Sequence, residues 1–318
     1  MGETGTMPRT LSYGNPTSIA QNPQSFITLI QQRLTEGNLS LFLGAGLSKP
    51  FGLPTWGELV NKLLIAKQMA PLDLSRNPPV RAITDAAARV EREFGGNISD
   101  FLQLVHDSLY PPFTPDSDYR EMFGQESLAA VASLLMGSKF GRASQVYTTN
   151  YDDCLERYLA FHGFRAQSIL RPNATHVDSD ITIYHPHGYL PRGKRDFFSD
   201  HLVLSTTSYH LYQGEGYHGP WPSLVFQSLK STFPLFIGSS GDDPIFEFYF
   251  VNLVPPMGPA QIDRSILGGI ILKDNTANAS EKEQLIQKFT DRRVVPFFIR
   301  DYQELPKVLF AILRVRNA

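Results

Sequence analysis

Short, uninterrupted apolar runs alternate along this chain with longer stretches in which apolar residues recur at helical spacing. Ser25 to Glu36 sets Phe26, Ile27, Leu29, Ile30 and Leu34 along a predicted helix that Gly37-Asn38 ends. Leu39-Ser-Leu-Phe-Leu43 follows and stops at Gly44. It reads as a strand buried in a parallel sheet. Residues 144–149, Ile181–Tyr184, Pro234–Ile237, Ile266–Leu272 and Val294–Ile299 predict further strands, and a helix runs from the Asn150 turn to Phe161. Thr55 with Glu58 has capping-box spacing for a helix through Leu64 and beyond. Ser280 with Glu283 and Asp301 with Glu304 predict two more helix starts. Residues 60 to about 140 read as helices broken at 78–79 and 111–115. Residues 189–222 read as loop-rich and aromatic, and Leu224–Lys230 as helical.

Strands alternating with helices predict an α/β fold: a doubly wound, Rossmann-like parallel sheet with a helical insertion at about 60–140. Residues 1–24, polar and rich in Gly, Pro, Ser and Thr, read as a flexible N-terminal arm, and 25–318 as one large domain. At 42% hydrophobic and 12% aromatic, the chain is not intrinsically disordered. Charged residues make up 19%, which suits a surface used in assembly. The formal charge is −2, and the basic residues gather only in short clusters such as Arg192-Gly-Lys194-Arg195 and Arg292-Arg293. Nothing here signals direct nucleic-acid binding. One cysteine, Cys154, rules out an intrachain disulfide and a cysteine-only zinc site. No apolar stretch reaches the ~20 residues of a membrane span, and the first residues lack a signal-peptide core, so the expected compartment is the cytoplasm.

The candidate chemistry falls in loops after the predicted strands, where open α/β sheets bind ligands. Gly44-Ala45-Gly46-Leu47-Ser48 can bring backbone N–H groups to a pyrophosphate, or can be a tight strand–helix turn. Its spacing fits neither GxGxxG nor the P-loop, because Lys49 stands where the third glycine would be. Thr148-Thr149-Asn150-Tyr151-Asp152-Asp153 reads by spacing alone first as a helix start, Asn150 capping and Asp153 in the first turn. His185 and His187 lie two apart, a metal pair without an evident third ligand, although His176, His201, His210 and His218 are near in sequence. A single general base reads better, and a packed structural histidine is the plain alternative. Gly238-Ser239-Ser240-Gly241-Asp242-Asp243 offers amides, hydroxyls and carboxylates for a ribose or phosphate, or an aspartate-capped turn. Cys154 reads as a packed small residue.

Taken in order, these motifs resemble the Sir2 family, which carries GAG-x-S, T-x-N-x-D, H-G and G-T/S-S segments. Here they stand as Gly44–Ser48, Thr148–Asp152, His187-Gly188 and Gly238–Ser240, with Gly52-Leu53-Pro54-Thr55-Trp56 resembling the G-I-P segment. The resemblance runs from about residue 38 to 310. It departs from sirtuin deacylases in three places. The four-cysteine zinc module is missing, Trp56-Gly57 replaces the usual phenylalanine and arginine, and the helical insertion is long. In these respects the chain is similar to the Sir2-like NAD hydrolases of bacterial antiphage defence, effectors that deplete NAD by abortive infection.

The resemblance implies NAD+ as substrate, with no zinc or other metal. It implies that Gly44, Ala45, Gly46 and Ser48 meet the pyrophosphate, with Pro54, Thr55 and Trp56 beside them. Ser239 and Asp242, next to Gly238, would face the adenosine half. The nicotinamide ribose would lie between Asn150 and His187, flanked by Thr149 and Gly188. Asn150 would orient ribose or water, His187 would be the general base, and Asp152 would bind the carboxamide or stabilise positive charge. It further implies a homo-oligomer and, in a chain of this length, a separate sensor or regulatory protein, with a HerA-type ATPase as candidate. The competing readings are an NAD or ADP-ribose sensor without turnover, an ADP-ribosyltransferase and a deacylase.

Overall fold

The computed structural model describes residues 15–76, 78–111, 124–136, 143, 145–174, 177–193, 199–214, 219–241, 243–253 and 266–314. Its centre is a parallel sheet of seven strands: β1 (Leu39–Leu43), β2 (Gln145–Thr148), β3 (Ala166–Ile169), β4 (Ile181–Tyr184), β5 (Phe233–Ile237), β6 (Gly268–Lys273) and β7 (Val294–Ile299). The spatial order is β3-β4-β2-β1-β5-β6-β7, and every pairing is parallel. The fold is the α/β, Rossmann-like one that the alternation of runs predicts.

Side-chain alternation splits the core in two. Leu39, Leu41 and Leu43 of β1 face a layer containing Phe26, Leu29, Ile30 and Leu34 of the helix Pro23–Thr35. The opposite parity carries an aromatic row across four strands. Tyr184 stacks on Tyr147 at 4.6 Å, Tyr147 on Phe42 at 4.8 Å, and Phe42 meets Phe236 at 4.9 Å. These four rings occupy paired register positions, so a one-residue slip would send all of them to the wrong face. β1 is the switch point. The chain builds β2, β4 and β3 on one side of it and β5, β6 and β7 on the other, and a crevice opens at the carboxyl ends of β1, β2 and β5.

The stretch read as a helical insertion holds the helices Trp56–Ala66, Val80–Arg92, Ile98–Leu109 and Glu126–Leu135, with no strand among its described residues. The first has the expected capping box: Thr55 N donates to Glu58 Oε2 at 2.7 Å.

Other expectations need correction. Part of the stretch read as an arm is ordered, since helices begin at Pro16 and Pro23 behind the caps Asn15 and Asn22, and Ile19 is buried. Residues 1–14 lie outside the described residues. Residues 189–222 include the helix Thr206–Gly214 and the start of Pro220–Ser231. β3 escapes the apolar-run signal because it is an edge strand with three half-buried positions. The helix at 279–290 starts before Ser280: Asn278 Oδ1 accepts from Glu281 N, and Glu281 Oε2 accepts from Ala277 N. Asp301 and Glu304 do not cap by their side chains. Asp301 Oδ1 accepts from Gln303 N, Glu304 Oε2 from Arg300 N, and the helix begins at Leu305.

Candidate active site

The four motif loops follow β1, β2, β4 and β5, so the strand order brings them to one edge of the sheet. They border a cleft of about 890 Å³. Gly44, Ala45, Gly46, Ser48, Pro54, Thr55, Trp56, Thr149, Asn150, Asp152, His187, Gly238 and Ser239 all line it. Gly188 does not line it: its φ of +109° and the closeness of the His201 carbonyl, 2.5 Å from where a Cβ would stand, give it a packing role. Asp242 lies outside the described residues.

The glycines serve loop-to-loop contact. A Cβ on Gly44 would stand 2.7 Å from the Gly238 carbonyl oxygen, and one on Gly238 would stand 2.6 Å from Leu47 N. The β1 and β5 loops therefore lie backbone on backbone. This corrects the view that the amides of Gly44–Ser48 are freed for a ligand. Gly44 N donates to Ile237 O and Gly46 N to Gly238 O, both at 2.9 Å, while Leu47 N and Ser48 N close local turns. Among the described residues, the Ala45 N–H is the amide of that loop left without a partner.

Asn150 is 8% exposed and does not cap the following helix. That helix starts at Cys154, whose N–H donates to Asp152 Oδ1 at 3.1 Å. Asn150 Nδ2 donates instead to Gly44 O (3.2 Å) and Ser48 Oγ (3.0 Å). A carbonyl oxygen only accepts, so the group facing Gly44 O is the NH2, and the amide orientation is decided. Ser48 in turn donates to Asp152. A chain from Asp152 through Ser48 to Asn150 leaves Asn150 Oδ1 buried without a partner. Burial raises the Asp152 carboxyl above its ordinary value. Asp152 thus spends its hydrogen bonds on the helix start and on Ser48. Ser239 Oγ likewise accepts from Gly241 N within its own turn.

His185 and His187 part company. His185 is fully buried, with Nε2 2.7 Å from Glu156 Oε1 and its ring against Tyr189, a satisfied structural histidine. His187 is 2% exposed, and its Nε2 is buried with no partner. Burial lowers its pKa below the usual 6.5, against an opposing pull from Asp243, so the imidazole is neutral at pH 7. Cys154 is buried, and burial pushes its thiol well up, consistent with packing.

Sequence reasoning named Asp243 only as one carboxylate of the 238–243 turn, without a role of its own, and missed Tyr209; both line the cleft. Asp243 directly follows the named Asp242. Tyr209 sits on a helix in the stretch read as loop.

The comparisons bear on this geometry. Residues 144–285 match the family model of the SIR2-like domain. That stretch, under half of the chain, holds Thr149, Asn150, Asp152, His187, Gly188, Gly238 and Ser239, so three of the four loops fall within the match. The β1 loop lies outside the match. The chain is also similar to a protein named NAD(+) hydrolase ThsA from Acinetobacter baumannii (strain 532279), with 26% identity over 227 residues. The alignment covers 70% of this chain, which spans about 40% of the length of that relative. Among the described residues no helix is long and apolar enough to cross a membrane.

Proposed function

We propose that the chain is an NAD+ glycohydrolase that splits NAD+ into ADP-ribose and nicotinamide in this cleft. The observation that carries the proposal is a pair of buried polar atoms without partners, Asn150 Oδ1 and His187 Nε2, on a cleft at the sheet's switch point. Orphaned buried polar atoms cost folding free energy and call for a role. The volume falls within the roughly 300–1,000 Å³ of small-molecule and cofactor sites, and the Ala45 N–H is open to a phosphate oxygen. The name of the relative, an NAD(+) hydrolase, supports the choice of substrate.

In this reading the departure of nicotinamide neutralises its cationic ring, and positive charge develops on the ribose as in glycoside cleavage. Asn150 Oδ1 accepts a hydrogen bond from a ribose hydroxyl or the attacking water and fixes its position. Neutral His187 accepts a proton at Nε2 as general base, worth about 10²–10⁴-fold. Asp152 acts through Ser48 to keep the Asn150 amide turned outward. The loop Gly44–Ser48 meets the pyrophosphate through the Ala45 N–H, and Ser239 stands on the adenosine side.

The test is incubation with NAD+ and chromatographic separation of the products. Nicotinamide and ADP-ribose appear in equal amounts, and His187→Ala and Asn150→Ala abolish both while staying folded. Wild-type turnover by either folded variant refutes the assignment. Label carried from NAD+ onto protein would favour the transferase. As the motif resemblance suggests, the activity belongs to antiphage defence by abortive infection. We place the protein in the cytoplasm as a homo-oligomer controlled by a separate sensor or regulatory protein, with a HerA-type ATPase as candidate. Co-purification from the native host tests that arrangement.

A further inference from the structure

The loop after β5 brings a carboxylate against the base. Asp243 Oδ2 lies 4.0 Å from His187 Nδ1, and the Tyr209 hydroxyl donates to the same oxygen at 3.5 Å. The imidazole is walled in by rings. Tyr209 and Tyr212 stand nearly perpendicular to it at 5.8 and 6.0 Å, and the Tyr212 hydroxyl is paired with that of Tyr249 at 3.0 Å. The ring is therefore held between side chains, and its two nitrogens meet different surroundings. Nδ1 faces the carboxylate, and Nε2 has no partner.

We propose that Asp243 is the positioning residue of the base: it holds the imidazole proton on Nδ1, so that the lone pair stands on Nε2, and Tyr209 holds Asp243 in place. The inference rests on the proposed NAD+ cleavage for its catalytic consequence, though not for the tautomer itself. A neutral imidazole carries one proton, on either nitrogen. A carboxylate only accepts, so the Nδ1–H form gains a charge-assisted interaction. The other form sets a lone pair against negative charge and leaves an N–H donor without an acceptor. At 4.0 Å the contact is longer than a hydrogen bond, and such contacts often tighten only when the reactants bind.

The step balances. The O–H bond of water breaks and its proton joins Nε2, while the oxygen bonds to the anomeric carbon. The electron pair of the broken C–N bond leaves with nicotinamide. The imidazolium so formed stands beside the Asp243 carboxylate and later yields its proton to solvent. The titratable groups that bear on the ring are Asp243, Tyr209, Tyr212 and His201, and a charge on His201 opposes protonation. Asp243 favours the protonated form, so removing it lowers the His187 pKa further.

The test uses the full chain with Asp243→Asn, Asp243→Glu and Tyr209→Phe. It reads kcat and KM against pH, and the ¹⁵N resonances of histidine-labelled protein assigned with His187→Gln. Asp243→Asn lowers kcat by roughly 10²-fold with KM little changed, and moves the acid limb of kcat to lower pH. Asp243→Glu recovers part of the rate, and Tyr209→Phe falls between. The wild-type spectrum shows His187 protonated on Nδ1, and Asp243→Asn loses that preference. A wild-type His187 protonated on Nε2 overturns the proposal, as does Asp243→Asn with unchanged kcat and acid limb. If the wild type cleaves no NAD+, the reading of function fails while the spectrum still decides the tautomer.

Discussion

Asn150→Ala separates what the residue does for the fold from what it does for the reaction. Truncation removes two hydrogen bonds, from Nδ2 to Gly44 O and to Ser48 Oγ. At about 0.5–1.5 kcal/mol net each, that costs about 1–3 kcal/mol. Neither partner is stranded, because Gly44 O still accepts from Leu47 N and Ser48 still donates to Asp152. Truncation also removes Oδ1, a buried acceptor without a partner, whose desolvation costs the wild type about 1–3 kcal/mol. The two effects nearly cancel, and because the side chain borders the cleft, water fills the space it leaves. Stability therefore stays within about 1 kcal/mol of wild type, while NAD+ cleavage is lost. Urea unfolding with a comparison of m-values measures the first, and product chromatography the second. A loss of more than about 3 kcal/mol would mean that Oδ1 is bonded in the folded protein. Retained turnover would remove Asn150 from the reaction.

Other outcomes follow from single contacts. Gly44→Ala drives a Cβ to 2.7 Å from the Gly238 carbonyl, backbone that cannot turn aside, so we expect a loss of about 1–3 kcal/mol and parallel loss of turnover. Unfolding curves and product assays on one preparation check both. Burial, with the nearby Glu156 charge, raises Asp153 to about 7. Between the ordinary carboxylate value and that pH, the folded protein keeps a proton that the unfolded chain has released. The stability from this group is thus present at pH 4 and lost as pH rises through 7. Asp153→Asn keeps an acceptor for the Tyr110 hydroxyl and should exceed wild-type stability at pH 8 by about 4 kcal/mol, a gap that closes towards pH 4. An unchanged gap across that range would contradict the assignment.

The sequence alone determined the layout. Leu39–Leu43 and Val294–Ile299 appear as strands at the predicted residues, because a strand covered on both faces must be apolar throughout. The Thr55–Glu58 box is read correctly since it closes over three residues. The four loops are legible as a set because strand carboxyl ends converge wherever the sheet is parallel. Signals failed where the chain's own pattern is weak. β3 is a half-polar edge strand, and the helix Pro244–Leu253 is too uniformly apolar to show a helical face. The roles within the site were decided only by tertiary contacts. His185 and His187 share a motif, yet one meets Glu156 from a helix 29 positions away while the other is left with an orphaned nitrogen beside Asp243. Asn150 looks like a helix cap until Gly44 and Ser48, more than 100 residues earlier, take its amide. The glycines look like a phosphate cradle until the β5 loop is packed against them. Hydrophobic period and capping act over a few residues and are written locally. Which polar atom goes unsatisfied depends on which distant segments fold against it.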